Sequence, residues 1–93
     1  MSKITLSGYI EVPAEDLEAI CLELPNHIAL TEQEAGCLLF TITRDPVNPN
    51  RFDVYEEFTD KAAFEQHQAR VKTSHWGLVT KNVERFYNIT KSS

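Results

Sequence analysis

Apolar and polar side chains alternate along four segments of the chain. A period of two, with many β-branched residues, is typical of a strand that has one buried face. The alternation predicts strands over residues 3–12, 37–44, 51–58 and 84–90, with a proline-containing turn cluster over 45–50 that joins the middle two as a hairpin. In the first strand the residues in apolar phase are Ile4, Leu6, Gly8, Ile10 and Val12.

Between the strands, apolar residues recur at helical spacing. Residues 14–33 carry one apolar stripe that runs through Pro25 without losing phase, which predicts a single kinked helix. Gly36 is expected to close that segment as a C-terminal glycine. A second helix is predicted over 60–72, with a Thr-Asp pair at its start as the cap, and a further short helix over 74–82.

The order of elements is β-α-β-β-α-β, which predicts the α+β, ferredoxin-like fold in a single domain over residues 1–93. Its four-stranded antiparallel sheet would have helices on one face and leave the other open. An apolar open face requires a partner, and a two-fold homodimer is the commonest solution. The residues expected on the open face are Tyr9, Cys37, Leu39, Tyr55 and either Tyr87 or Ile89.

Composition narrows the classes of partner. The chain has 93 residues, with 9 Lys+Arg against 14 Asp+Glu and a net charge of -5. An acidic chain without a basic cluster is not expected to bind nucleic acid or an anionic membrane. The longest apolar stretch, Cys37 to Phe40, is too short to span a bilayer. With no signal-peptide pattern and only two cysteines, we expect a cytoplasmic protein with free thiols.

Three polar residues stand in core phase and are the candidates for chemistry. Glu56 shares a strand face with phenylalanines, and a carboxylate buried there must be paired or neutralised. His67 lies in the middle of the second helix's apolar face, so a Glu56–His67 pair is expected. His27 lies at the edge of the first helix's stripe beside Pro25, where a kink would leave room for a ligand.

Each candidate also has an ordinary structural interpretation. A histidine on an apolar helix face is most often a satisfied core residue, and Trp76 could be a lid over the core. The sequence contains no glycine-rich phosphate loop and no nucleophile elbow, and the candidate residues are too far apart in sequence to indicate a metal site.

The ordered set of short motifs is similar to the antibiotic biosynthesis monooxygenase family, and within it to a branch of small proteins described as quinol monooxygenases. The resemblance extends over about residues 4–89 and implies a ferredoxin-like protomer that dimerises sheet to sheet into an α/β barrel. The motifs that carry it are Pro25-Asn26-His27-Ile28, Glu34-Ala35-Gly36-Cys37-Leu38-Leu39-Phe40, Arg44-Asp45-Pro46, Asn50-Arg51-Phe52, Tyr55-Glu56 and Phe64-Glu65-Gln66-His67.

The resemblance also implies a chemistry. Members of the family often oxidise phenols or quinols with O₂ and no flavin, metal or haem, in a pocket between the helices and the sheet. Here His27, Glu56 and His67 match recurring polar positions and are the expected catalytic residues. We expect His27 to be the base, with a pKa near neutrality, because Glu56 would hold His67 in a fixed hydrogen bond. The residues expected to contact substrate are Asn26, Phe40, His75 and Trp76.

Three alternatives remain open at this point. A haem-degrading branch of the family usually has an asparagine on the first strand, where this chain has Ser7-Gly8, and only His75 could be the axial ligand. An isomerase branch acts on a phosphorylated autoinducer, and it would need basic neighbours from Arg44, Arg51 or Arg70. The third alternative is a dimer that binds small molecules without catalysis.

Overall fold

The computed structural model describes residues 2–92. The strands and helices follow one another in the predicted order, and a short 3₁₀ turn at Ala14–Asp16 leads into the first helix. Asp60 caps the second helix by accepting a hydrogen bond from the Ala63 amide at 2.8 Å. The elements are β1 Lys3–Glu11, α1 Leu17–Glu32, β2 Cys37–Arg44, β3 Arg51–Phe58, α2 Lys61–Lys72, α3 His75–Val79 and β4 Glu84–Ser92.

The four strands form one antiparallel sheet in the order β2-β3-β1-β4. The α+β, ferredoxin-like fold is therefore confirmed. β1 and β3 are the central strands. Side chains alternate between the two faces of a strand, so the apolar residues of β1 and β3 share the face that packs beneath the helices. The buried core cluster comprises Leu6, Ile10, Val12, Ile20, Phe52, Val54, Trp76 and Val83. Within residues 2–92, no helix combines the length and apolar character needed to cross a bilayer.

Gly36 does not have the predicted role of closing α1. The helix is continuous through Pro25 and ends at Glu32, and the next residue, Gln33, keeps right-handed backbone angles. Among residues 2–92, the only residue with positive φ is Gly8, so Gly36 is not a left-handed cap. A Cβ at Gly36 would overlap the Cβ of Ala63. Glycine is required there because the loop after α1 passes directly against α2.

The open face of the sheet differs from its predicted composition. Tyr9, Leu39 and Tyr55 lie on it, but an irregularity in β2 between Cys37 and Leu39 turns Cys37 toward the helices, opposite Phe58. In β4, Tyr87 pairs with Gly8 and Ile89 pairs with Leu6, which puts both on the helix side. Phe86 takes their place on the open face and stacks on Tyr9, with ring centroids 4.8 Å apart.

Candidate active site

A cavity of about 180 Å³ lies between the helices and the inner face of the sheet. Its floor is apolar and is built by Leu6 and Ile10 of β1 and Val54 of β3. Its polar lining includes one titratable residue from each of three elements, His27 of α1, Glu56 of β3 and His67 of α2. The three residues predicted to carry chemistry therefore reach one cavity, although 40 positions separate the first from the last.

His27 is enclosed by aromatic rings. Its side chain is 3% exposed. The imidazole stacks on Trp76 with centroids 4.4 Å apart and planes 5° from parallel, and it meets the edge of Phe40. No hydrogen-bond partner for its buried Nδ1 exists within residues 2–92. Burial lowers the pKa of His27 to about 3, and the charges of His67 and Arg70 act in the same direction.

The expectation of a near-neutral pKa for His27 is therefore wrong. The physical reason is that an imidazolium between Trp76 and Phe40 would have lost its water and gained no counterion. His27 is neutral at pH 7, and a group whose conjugate acid has a pKa near 3 accepts protons poorly.

His67 has a different hydrogen-bond partner from the one predicted. Its Nδ1 lies 2.8 Å from Oε1 of Glu34, in the loop after α1, while its Nε2 lies 3.8 Å from Oε1 of Glu56. The second distance is too long for a hydrogen bond. Because the Glu34 carboxylate also accepts from Nε of Arg70 at 2.6 Å, it can only accept from the imidazole. Nδ1 of His67 then carries the proton, and Nε2 presents a lone pair on the Glu56 side.

The pKa of His67 reflects two opposed effects. Burial lowers the pKa of His67 below its usual 6.5, and the hydrogen bond and charge of Glu34 oppose that shift. His67 is thus neutral at pH 7, with a carboxylate in place to stabilise the imidazolium that forms when Nε2 takes a proton.

Glu56 is a carboxyl group held without an ionic partner. Its side chain lies in the core, and Oε1 is buried with no hydrogen-bond partner within residues 2–92. Burial raises the pKa of Glu56 to about 8, and the negative charge of Glu34 adds to the shift. At pH 7 Glu56 is mostly protonated and can donate a hydrogen bond into the cavity, beside the Nε2 lone pair of His67.

Three of the predicted substrate contacts lie outside the cavity. Asn26 is exposed on α1 and donates from its side-chain amide to Glu23 at 2.8 Å, and His75 is exposed at the start of α3. Phe40 is buried, but it packs against the rings of His27 and His67 rather than lining the cavity. Trp76 does line it. Asn26 and His75 are exposed because each lies on the outer side of its helix, so these two contacts implied by the resemblance are wrong.

β4 contributes two cavity residues that the sequence did not indicate. Arg85 and Tyr87 line the cavity from the strand next to β1, and Arg85 donates to the carbonyl and hydroxyl of Thr80 at 3.2 Å each. Partial burial of its hydroxyl raises the pKa of Tyr87 to about 12. The sequence carried no signal for them. Gly8, opposite Tyr87, is required by its positive φ and by the close β4 backbone rather than by the cavity.

The three arginines predicted to meet a phosphorylated substrate lie away from the cavity, although Arg85 does line it. Arg44 donates to the Pro49 carbonyl, Arg51 pairs with Asp53 on the open side of the sheet, and Arg70 pairs with Glu34. None of these three lines the cavity. Across residues 2–92, no group of three or more His, Cys, Asp or Glu side chains has an arrangement that could hold a metal ion.

Comparison with known proteins gives a family match and several structural neighbours. The model of the antibiotic biosynthesis monooxygenase family matches residues 3–76. No curated protein matches the sequence. The Pseudomonas aeruginosa protein PA3566 superimposes with a TM-score of 0.78 at 25% identity, over 99% of this chain and 93% of that one.

Two further solved structures have the same fold. A protein from Deinococcus radiodurans, proposed to be an antibiotic biosynthesis monooxygenase, has a TM-score of 0.71 at 25% identity over 100% of this chain and 91% of that one. SnoaB from Streptomyces nogalater, described as a cofactor-independent oxygenase, has a TM-score of 0.75 at 12% identity, over 100% and 95%. At that identity the likeness to SnoaB shows the fold alone.

Proposed function

The chain belongs to the antibiotic biosynthesis monooxygenase family, and from that premise we propose that it is a cofactor-independent monooxygenase of small quinols or phenols, with His67 as base and Glu56 as acid. The family gives a general monooxygenase-like role. The observation that carries the finer proposal is the cavity wall itself, where an unprotonated Nε2 lies 3.8 Å from the oxygen of a carboxyl whose pKa is about 8. SnoaB, which has the same fold, is described as working without a cofactor.

The reaction needs a base first and an acid second. Nε2 of His67 removes the phenolic proton, and the resulting anion donates electrons from its ring carbon to O₂, forming a carbon–oxygen bond. The O–O bond then breaks. The outer oxygen takes one proton from Glu56 and leaves as hydroxide, which becomes water with the proton that His67 had removed. The inner oxygen stays on the ring as a carbonyl because the ring carbon gives up its hydrogen as a proton, and that proton restores Glu56. For naphthohydroquinone the balance is C₁₀H₈O₂ + O₂ → C₁₀H₆O₃ + H₂O, with all four electrons supplied by the substrate.

The cavity limits the size of the substrate. Its volume of about 180 Å³ is below the range of typical drug-sized pockets, which begin at roughly 300 Å³. It equals the liquid volume of about six waters, at ~30 Å³ each. Such a space accommodates one ring or two fused rings, and we therefore propose single-ring phenols and naphthalene-type quinols as the substrate class.

Arg85 gives the site a fixed positive charge. Its guanidinium lines the cavity on the β4 side, while both histidines and Glu56 are neutral at pH 7. An anion formed by deprotonation would be attracted to it, and in an apolar cavity that attraction is stronger than in water. Arg85 would thus favour ionisation of a bound substrate.

The protein is expected to be a homodimer that covers the open face of the sheet. Tyr55, Leu39 and Phe86 are exposed there, and Tyr9 of β1 stacks on Phe86 of the edge strand β4. Burying this face against a second copy removes apolar area from water. Sedimentation equilibrium at micromolar concentration should give twice the 10.6 kDa of one chain. A single species at the mass of one chain would contradict the dimer.

Oxygen consumption tests the proposed function. Protein dialysed against a chelator is mixed with 1,4-naphthohydroquinone, and dissolved oxygen is followed with an electrode. We expect uptake of one O₂ per quinol and formation of 2-hydroxy-1,4-naphthoquinone, well above the autoxidation seen without protein. A panel of one-ring phenols and three-ring quinols in the same assay checks the proposed size limit.

The same samples without oxygen distinguish the isomerase alternative. If the protein transforms cavity-sized enols anaerobically and consumes no O₂ with any quinol, the oxidation proposal is overturned in favour of proton transfer. If it does neither while binding quinols, a non-catalytic binding protein is the better account.

A further inference from the structure

Glu34 and Arg70 form a partly buried ion pair on the side of His67 that faces away from the cavity. Oε2 of Glu34 accepts from Nε of Arg70 at 2.6 Å, and Nη2 of Arg70 donates to the hydroxyl of Thr31 at 3.0 Å. Thr31 is fully buried in α1. The network therefore joins the end of α1, the following loop and α2, next to the His67 side chain.

We propose that Glu34 is a positioning residue that fixes the tautomer of His67, with Arg70 holding Glu34 in place. This inference rests on the proposed function, because the tautomer matters only if Nε2 of His67 accepts a proton. Glu34 does not line the cavity and cannot touch a substrate there. It acts through the 2.8 Å hydrogen bond to Nδ1, which forces the ring proton onto that nitrogen and leaves Nε2 free.

The geometry requires a carboxylate at position 34. Its two oxygens each face a donor, Nδ1–H of His67 and Nε–H of Arg70. A glutamine has one oxygen and one NH₂ group, so it can satisfy only one of these donors. Since Arg70 has no acceptor form, the glutamine oxygen must turn to Arg70 and its NH₂ group must face Nδ1. His67 then becomes the acceptor at Nδ1, and its proton moves to Nε2, inside the cavity.

The loop holding Glu34 is fixed against α2. Gly36 passes so close to Ala63 that a Cβ there would overlap it, and the Gly36 carbonyl accepts from the Thr59 amide at 2.9 Å. The charged and titratable groups around the His67 ring are Glu34 of the loop, Arg70 of α2, Glu56 of β3 and His27 of α1. Of these, only Glu34 makes a hydrogen bond to the ring.

The test is the tautomer of His67 in the free protein, measured by nitrogen-15 NMR of the imidazole. The three histidines are assigned by comparison with His67→Gln, which removes one set of signals. The wild type should carry its proton on Nδ1 at pH 7.5, and Glu34→Gln should carry it on Nε2. Glu32→Gln, an exposed carboxylate on the last turn of α1, is the matched control and should leave the tautomer unchanged.

A second variant tests the network from the other side. Arg70→Met removes a positive charge that lowers the pKa of His67, so that pKa should rise, whereas Glu34→Gln removes an opposing effect and should lower it further. Opposite shifts in the NMR titration of His67 support the proposal. A residue with a purely structural role would lower the melting temperature without moving the tautomer or these pKa values.

The outcomes separate this inference from the proposed function. In the oxygen assay Glu34→Gln should lower kcat by roughly 10²–10⁴-fold, as loss of a general base does, with KM little changed. If the tautomer switches as expected but the wild type oxidises no quinol, the positioning role stands and the proposed function fails. A wild-type proton on Nε2, or an unchanged tautomer in folded Glu34→Gln, overturns the positioning role.

Discussion

Replacing His67 with glutamine is expected to lower kcat by roughly 10²–10⁴-fold, the loss that follows removal of a general base. His27→Gln should stay within about tenfold of the wild type, because an imidazole whose conjugate acid has a pKa of about 3 stays neutral near pH 7 and is a poor base. The two histidines have similar burial and line the same cavity, so the expected difference comes from one contact. His67 is hydrogen-bonded to a carboxylate, and His27 is stacked on Trp76.

The comparison is made as initial rates of oxygen uptake with naphthohydroquinone, with His75→Gln as an exposed control. Circular-dichroism melting of each variant establishes that it is folded at the assay temperature. Equal losses in both cavity variants would mean that the two histidines act as a unit. Loss of activity in His27→Gln alone would contradict the role of His67 as the base and give that role to His27.

Glu56→Gln should remove the alkaline limb of the pH–rate profile. In the wild type, kcat/KM should rise with increasing pH as the His67 imidazolium becomes neutral, below pH 6.5. It should fall again as Glu56 ionises near pH 8. Above that pH the group is a carboxylate, which cannot donate a proton and repels the substrate anion. Glutamine has nearly the same shape but does not titrate and cannot give up a proton, so the rate should be lower at every pH and the acid limb should remain alone.

Other charged or titratable groups face Glu56 and could also affect the alkaline limb. They are His67 of α2, Glu34 of the loop, and Tyr87 and Arg85 of β4. Tyr87 has a pKa of about 12 and cannot produce a limb near pH 8. Glu56→Ala, which removes the donor altogether, should lower kcat at pH 7 by roughly 10²–10³-fold. An alkaline limb near pH 8 that persists in Glu56→Gln would belong to another group.

The fold could be predicted from the sequence because local patterns and global packing agree in this chain. The alternation in β1 and β3 and the stripes of α1 and α2 each place apolar residues on a face that the fold buries. Gly36 shows where that reasoning fails. A glycine soon after a helix suggests a cap that uses the backbone freedom of glycine. Gly36 is instead required because a side chain there would overlap Ala63, a residue distant in sequence.

Site residues could be predicted only where they occupy positions that the apolar pattern of a helix or strand would bury. His27, Glu56 and His67 were found because a polar residue on an apolar face is visible in sequence. The partner of His67 was not, because Glu34 lies in a loop that has no periodicity. Tyr87 was assigned to the wrong face because β4 is exposed along its whole length, so only its register with β1 orients its side chains.

The most direct measurement is a carbon-13 NMR titration of the Glu56 carboxyl in the free protein, which requires no substrate. The signal is assigned by its loss in Glu56→Gln. We expect it to titrate near pH 8, so that at pH 7 a protonated carboxyl faces the unprotonated Nε2 of His67. A Glu56 carboxyl that titrates near its usual value of 4.5 would be ionised at pH 7. That result would contradict its role as the acid beside His67.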